Sequence, residues 1–412
     1  MKKAFHLMAK PASYHCNLAC DYCFYLPKGE TLFREQPHAR HMSDTVLRQF
    51  IRRYIETSPG DEVTFTWQGG EPTLAGLDFY RRALELQRHY ARGKRIVNTL
   101  QTNGVLLNDE WVRFLAEHRF LVGVSVDGPQ HLYDAMRKTH SGRSMFSSVT
   151  EGVARLREAG VEFNLLAVVN EQTARAPLDV YHFLTRELGA KFVQFIPAVE
   201  VKPGREAAAE RYGEIIGLEN DAAATVTPWS VTGEAYGSFL IAIFNEWVRH
   251  DVGRVFVQIF DNTLAAWAGQ TPSLCVMRPG CGASLVVEQN GDVYSCDHFV
   301  SPEHRLGNIL TTPPDVLAAS RQQRQFSERK TPRSPRCQQC AYRFACQGGC
   351  PKHRILSEGK HRQNYLCSGY HAFFSHVSPY MEWMTRQLAQ RRPAAGIMQA
   401  APFIAAQQAT GR

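Results

Sequence analysis

Hydrophobic positions in the first half of the chain follow two periods in turn. Short runs rich in β-branched and aromatic residues read as strands: AFHLMA (4–9), EVTFTWQ (62–68), IVNTLQT (96–102), FLVGVSVDG (120–128), VEFNLLAVVN (161–170) and KFVQFIPAVE (191–200). Between most of them lie helical patterns. LDFYRRALELQRHYAR and FSSVTEGVARLREAG place Leu, Phe, Tyr and Val at i, i+3, i+4 spacing. Strands alternating with helices imply βαβ units and a parallel sheet. Six such units predict an α/β fold, a partial (β/α)6 barrel over residues 1–200, with its chemistry at the C-terminal ends of the strands. The loops there are distinctive. Cys16, Cys20 and Cys23 follow the first strand, Gln68, Gly69, Gly70 and Glu71 the second, QTNG (101–104) the third, and Ser125 and Asp127 close the fourth.

The second half changes character. Residues 201–235 are rich in Gly, Ala and Glu and read as a linker or irregular helical segment. YGSFLIAIFNEWVRH and FVQIFDNTLAAWAG complete a helical stretch to residue 270, its apolar face read as core. A cysteine-rich unit is expected over 271–391, and the Ala- and Gln-rich tail 392–412 is predicted to be weakly ordered.

Composition narrows the function classes. A chain of 412 residues is long enough for two or three domains. A net charge of +8 is modest for this length, and no stretch resembles a nucleic-acid-binding arm. No apolar run reaches the ~18 residues of a membrane span. The basic N-terminus is broken by His6 and Lys10, so it reads as a strand and not as a signal peptide, and the expected location is the cytoplasm. Eleven cysteines in a reducing compartment point to metal or catalysis, not disulfides.

The first three are spaced C-x3-C-x2-C, one thiolate short of the four that close a structural zinc site. Three thiolates can hold three corners of a [4Fe–4S] cube and leave one iron open to a small molecule; zinc with a remote fourth ligand such as His15 is the alternative. Eight further cysteines follow: Cys275, Cys281, Cys296, Cys337, Cys340, Cys346, Cys350 and Cys367. They suffice for two full cubes or for a pair of zinc sites. VVEQNGDVYSC reads as a hairpin with Asn290-Gly291 in a type I′ turn, returning Cys296 beside Cys281.

CNLACDYCFY, with Tyr22 before the last cysteine, resembles the radical S-adenosylmethionine superfamily. The resemblance implies that the open iron is chelated by the amino and carboxylate groups of S-adenosylmethionine, and that cleavage releases a 5′-deoxyadenosyl radical. It assigns Gly69, Gly70 and Glu71 of GGEP to the methionine amino group, with backbone approaching the ligand at the glycines. Ser125 and Arg137 match nucleoside- and carboxylate-binding positions. The C-terminal cysteines resemble the SPASM extension, which carries two auxiliary [4Fe–4S] clusters. That likeness, and not the spacing, groups Cys275, Cys281, Cys296 and Cys350 on one and Cys337, Cys340, Cys346 and Cys367 on the other.

Within that group, CNLACDYCFY, FTWQGGEPTL, QTNG, VSVDGP, QFIPAVE and YSCDHF resemble the anaerobic sulfatase-maturating enzymes. This implies oxidation of a Cys or Ser in a sulfatase C/S-x-P-x-R segment to Cα-formylglycine, three clusters in all, and a flavodoxin- or ferredoxin-like reductant. Asp297 matches the catalytic base, and Tyr25 and Gln68 match substrate-side positions. An ordinary Asp, with a pKa of ~3.9, is a weak base for a thiol of ~8.5, so burial beside an anionic cluster is expected to raise it. Two other readings stand: a SPASM maturase crosslinking a ribosomal peptide, for which a preceding peptide-binding domain would be expected, and a non-enzymatic iron–sulfur or zinc protein.

Overall fold

The computed structural model describes residues 4–33, 41–202, 225–282, 284–358 and 360–410. Most of the expected linker, 203–224, lies outside them. The six anticipated strands are present as β1 (His6–Ala9), β2 (Glu62–Trp67), β3 (Arg95–Thr102), β4 (Leu121–Ser125), β5 (Phe163–Val169) and β6 (Phe192–Pro197). They pair in sequence order, all parallel. β4 stops at Ser125, short of the expected 128, because the chain turns at Gly128 with φ +140°.

The sheet is wider than six strands. Phe256–Val257 (β7) runs parallel beside β6. Ser284–Val287 (β8) runs parallel beside β1, with His6 opposite Ser284 and Ala9 opposite Val287. Asp292–Tyr294 (β9) and Arg305–Asn308 (β10) then pair antiparallel. The order is β10-β9-β8-β1-β2-β3-β4-β5-β6-β7. Strands from the cysteine-rich half thus extend the barrel sheet, and the residues that follow β9 are carried to its mouth.

Period-2 patterning separates the two faces. Leu7, Phe65, Trp67, Leu100, Val122, Val124, Leu165, Ala167, Val193 and Phe195 are buried in one core beneath the helices. The opposite face is polar: Thr99 Oγ1 donates to Thr66 Oγ1 at 2.9 Å, Gln101 Nε2 to Ser125 Oγ at 3.2 Å, and Gln194 Nε2 to Asn164 Oδ1 at 3.2 Å. The crossover helices are α1 (Asp44–Thr57), α2 (Leu77–Tyr90), α3 (Asp109–Glu117) and α4 (Phe146–Glu158). Ser43 and Asn108 cap α1 and α3 by accepting from Val46 N and Trp111 N.

Behind β6 lie α5 (Gly233–His250), α6 (Gln258–Trp267), α7 (Cys367–Ala389) and α8 (Ile397–Ala409). α5 and α7 cross so closely that a Cβ on Gly369 would come within 1.9 Å of Gly233 O. Only glycine permits this approach, and it fixes the start of α7, where Cys367 sits. The tail expected to be weakly ordered is instead the helix α8. Ile397 and Ala401, one turn apart, are buried, and Gln408 Nε2 donates to His376 O at 2.9 Å. Its alanines supply helix propensity and a flat apolar contact. Among the described residues no helix is long and apolar enough to cross a membrane.

Candidate active site and metal centres

The loop after β1 and the loop after β2 are built as one unit. Gly70 N donates to Ser13 O at 2.6 Å and Glu71 N to His15 O at 2.8 Å. A Cβ on Gly70 would lie 2.2 Å from His15 O. The glycines of GGEP therefore allow close approach to the backbone of the cysteine loop. Glu71 is fully buried. Its Oε1 accepts from Thr73 N (3.0 Å), Thr73 Oγ1 (2.6 Å) and Thr102 Oγ1 (2.7 Å), and its Oε2 from Asn103 N (2.7 Å). Burial pushes its carboxyl up while these donors pull it down. The Glu71 side chain thus ties the loops after β2 and β3 together.

Cys16, Cys20 and Cys23 interact electrostatically as one set. Leu18 N donates to Cys16 Sγ at 3.4 Å and Leu26 N to Cys23 Sγ at 3.3 Å, contacts that favour a thiolate. Burial pushes the Cys16 thiol up to about 12, with Glu71 adding to it, and the Cys20 thiol up to about 11. Such thiols are protonated on their own and lose the proton to a bound metal.

Arg137, expected to meet a carboxylate of the cofactor, is paired within the chain. Its Nε and Nη2 reach Asp127 Oδ2 and Oδ1 at 2.9 and 3.1 Å. Asp127 also accepts from Tyr22 OH and from Val168 N, and the guanidinium lies 5.4 Å from the Tyr22 ring centroid. All three side chains are committed to one another, linking the cysteine loop to β5. Arg137 also acts on Cys20, easing the upward shift that burial imposes. Ser125 remains part-exposed on the polar face of the barrel, in contact with Gln101.

Asp297 stands at the same mouth, in the turn after β9 and Cys296. Its Oδ1 accepts a hydrogen bond from Lys10 Nζ. Lys10 is 1 % exposed, also donates to Gln68 Oε1 at 3.3 Å, and places its ammonium 4.3 Å from the Tyr25 ring centroid. Tyr25 OH in turn donates to buried Glu288. The structure therefore gathers Asp297, Gln68 and Tyr25 around a residue that sequence reasoning passed over. The available signal was a lysine immediately after the apolar end, Leu7 to Ala9, of the first strand. Asp297 is subject to opposing effects. Burial raises its carboxyl, but the Lys10 ammonium and, further off, His298 and Lys28 outweigh it and hold the carboxyl below its ordinary value.

The other eight thiols form two sets. Cys296 feels Cys350 and Cys275, Cys350 feels Cys275 and Cys281, and Cys281 feels Cys275. Cys346 feels Cys367, Cys337 and Cys340. The latter four line a cavity of about 180 Å³. Cysteines far apart in sequence are thus brought within electrostatic range of one another. All eleven cysteines are free thiols. Among the described residues no three Cys, His, Asp or Glu side chains are disposed to hold a single ion. The four thiols around the cavity, Cys337, Cys340, Cys346 and Cys367, are a donor set that fits an iron–sulfur cube. The hairpin between β8 and β9 is present, but not with a type I′ turn. Gly291 alone takes a positive φ (+87°), and Gly291 N donates to Glu288 O and Glu288 N to Asp292 O. This is a type I turn followed by a glycine bulge, a three-residue loop with one residue more than a type I′ turn has.

Comparison with known proteins agrees with this construction. Residues 11–184 match the radical SAM superfamily and 279–341 match the SPASM iron–sulfur cluster-binding domain. Fold and thiol sets together define a radical S-adenosylmethionine enzyme, an oxidoreductase, with a SPASM extension. Over 402 residues the chain is 44% identical to the serine-type anaerobic sulfatase-maturating enzyme of Bacteroides thetaiotaomicron, covering 97% of this chain and 95% of that one. Over 377 residues it is 34% identical to the cysteine-type enzyme of Clostridium perfringens, covering 90% and 96%. It superposes on native anSMEcpe with bound AdoMet and Cp18Cys peptide with a TM-score of 0.80 at 32% identity, over 93% of this chain and 100% of that one. The chain belongs to the anaerobic sulfatase-maturating enzymes.

Proposed function

We propose that this enzyme oxidises a Ser or Cys in the C/S-x-P-x-R segment of a sulfatase to Cα-formylglycine. The observation that carries the reading is near-full-length similarity to both serine- and cysteine-type enzymes. Identity is higher to the serine-type enzymes, which favours a sulfatase presenting Ser.

On this reading Cys16, Cys20 and Cys23 hold the cluster that binds S-adenosylmethionine, and the two C-terminal thiol sets hold two more, three in all. Bound there, these groups supply the hydrogen-abstracting radical and a path for one electron. The chain's own residues do the rest. Glu71, Asp127 and Arg137 fix the loops around the cofactor, with Gly69, Gly70, Tyr22 and Ser125 beside it. Gln68 and Tyr25 flank the substrate. Asp297 takes the proton from the substrate hydroxyl or thiol, with Lys10 fixing the direction of its carboxylate. Low basicity is no obstacle, because a hydroxyl or thiol on a radical carbon is far more acidic than its closed-shell parent. Hydrogen abstraction therefore precedes or accompanies proton transfer. The reductant is flavodoxin- or ferredoxin-like, and the location is cytoplasmic.

Asp297→Asn tests the assignment. It keeps shape and most hydrogen bonding but is not a carboxylate base. The variant should retain its iron and cleave S-adenosylmethionine, while formylglycine formation falls about 10²–10⁴-fold. Near-normal formylglycine formation by a fully clustered variant removes Asp297 from the chemistry.

A further inference from the structure

Positive charge is not spread over this chain. Residues 321–362 contain eleven Lys and Arg against two Glu, a surplus of nine, whereas the whole chain carries +8. The remainder is thus nearly balanced, and five of these residues, Arg333, Arg336, Arg343, Arg354 and Arg362, line the cavity of the thiol set of Cys337, Cys340, Cys346 and Cys367. Several surface arginines elsewhere are paired: Arg81, Arg82, Arg92, Arg95 and Arg155 each meet a carboxylate. Arg336 and Arg343 are exposed and have no carboxylate partner among the described residues. The Arg343 guanidinium donates to Gln338 O, at 3.1 Å. Both line the mouth of the thiol cavity. Beside them Phe344 is 47% exposed, in a second depression shared with Cys340 and Arg343. An exposed aromatic rimmed by unpaired charge is the form of a protein-docking surface.

We propose that this face docks an acidic one-electron carrier protein, with Phe344 as the central contact and Arg336 and Arg343 on the rim. The inference rests on the proposed oxidation. Converting a substrate CH–OH to C=O removes one hydrogen atom, one proton and one electron. The hydrogen atom goes to the radical derived from S-adenosylmethionine, the proton goes to Asp297, and the electron leaves through the protein. The oxidised carrier takes up that electron. Free acidic and basic surfaces attract each other at long range, so the rim sets encounter and salt dependence while the aromatic sets the contact.

Cluster-loaded enzyme titrated calorimetrically with oxidised flavodoxin, an acidic flavoprotein, tests this. Binding should weaken steeply between low and moderate salt. The pair Arg336→Glu and Arg343→Glu should weaken it about tenfold at low salt and flatten the salt dependence. Arg336→Gln and Arg343→Gln, which add no negative charge beside the thiols, should give a smaller loss in the same direction. Phe344→Ala should weaken binding at both salts. Iron content and dithionite-driven cleavage of S-adenosylmethionine should be unchanged throughout. Wild-type affinity in the Glu pair overturns the proposal. So does loss of iron in the Gln pair, because the arginines would then only offset cluster charge, and so does displacement of flavodoxin by a single-stranded oligonucleotide at similar concentration. Dithionite-driven formylglycine formation needs no docking and reads the proposed function separately.

Discussion

Replacing Lys10 by Met removes an ammonium and keeps most of the side chain's volume. Lys10 is 1 % exposed, and its Nζ is bonded to Asp297 and Gln68 and lies 4.3 Å from the centroid of the Tyr25 ring. The variant leaves the Asp297 carboxylate, 19 % exposed, without its nearest cation. Breaking a buried pair on one side costs about 3–5 kcal/mol, and a desolvated cation–π contact adds about 2 kcal/mol at most. Met offsets part of this by better transfer of its thioether into the interior. A net loss of about 3–4 kcal/mol is expected. At about 2 °C per kcal/mol for a large domain, the apparent Tm should fall by roughly 6–8 °C. Removing both charges should cost less than the sum. Lys10→Met combined with Asp297→Asn should recover about 2–3 kcal/mol relative to additivity. Thermal unfolding of the four proteins by circular dichroism, at equal iron content, measures the cycle. If the two single losses add to within about 0.5 kcal/mol, the ion pair is not coupled, and Lys10 does not hold Asp297 in place.

Other tests follow from separate parts of the molecule. Replacing Cys16, Cys20 and Cys23 by Ala should remove about a third of roughly twelve irons and abolish S-adenosylmethionine cleavage; iron analysis after anaerobic reconstitution checks this. Glu71→Gln puts an amide donor or a second-choice acceptor where four donors converge. It should cost about 1–3 kcal/mol and weaken S-adenosylmethionine binding in equilibrium dialysis. Burial lowers the Lys28 ammonium to about 8 from 10.5 in the unfolded chain, against an upward pull from Asp297. Between these values the unfolded state binds more protons, so wild type should gain stability relative to Lys28→Met as pH rises from about 8 towards 10.5. Melting both proteins across that window gives the sign directly.

The parallel barrel was legible because each strand alternates a buried apolar face with a polar one, and that alternation is local. What depends on distant partners was not. β8 lies beside β1 although some 280 positions separate them, and no local period encodes that pairing. Lys10 read as an ordinary charge because its partner Asp297 lies 287 positions away. Glu71 and Arg137 were recognised as important by position, yet their side chains serve Thr73, Thr102, Asn103 and Asp127 within the chain. Motif likeness identifies residues a site needs without distinguishing those that touch the ligand from those that hold the loops. The tail misled for a different reason. Its Ala- and Gln-rich composition resembles a disordered segment, but Ile397 and Ala401 fall on one helical face and bury against α5 and α7. Cysteine grouping was open from spacing alone and required the resemblance.

The central claim is that this chain makes formylglycine. Its most direct test is mass spectrometry of a synthetic peptide bearing S-x-P-x-R, incubated anaerobically with the cluster-loaded enzyme, S-adenosylmethionine and dithionite. The peptide should lose the mass of H2 at its Ser and become reactive to hydrazine. The matching C-x-P-x-R peptide should lose H2 and exchange sulfur for oxygen. Unchanged peptides alongside active S-adenosylmethionine cleavage would contradict the claim, and an internal crosslink formed in an unrelated peptide would put a peptide maturase in its place.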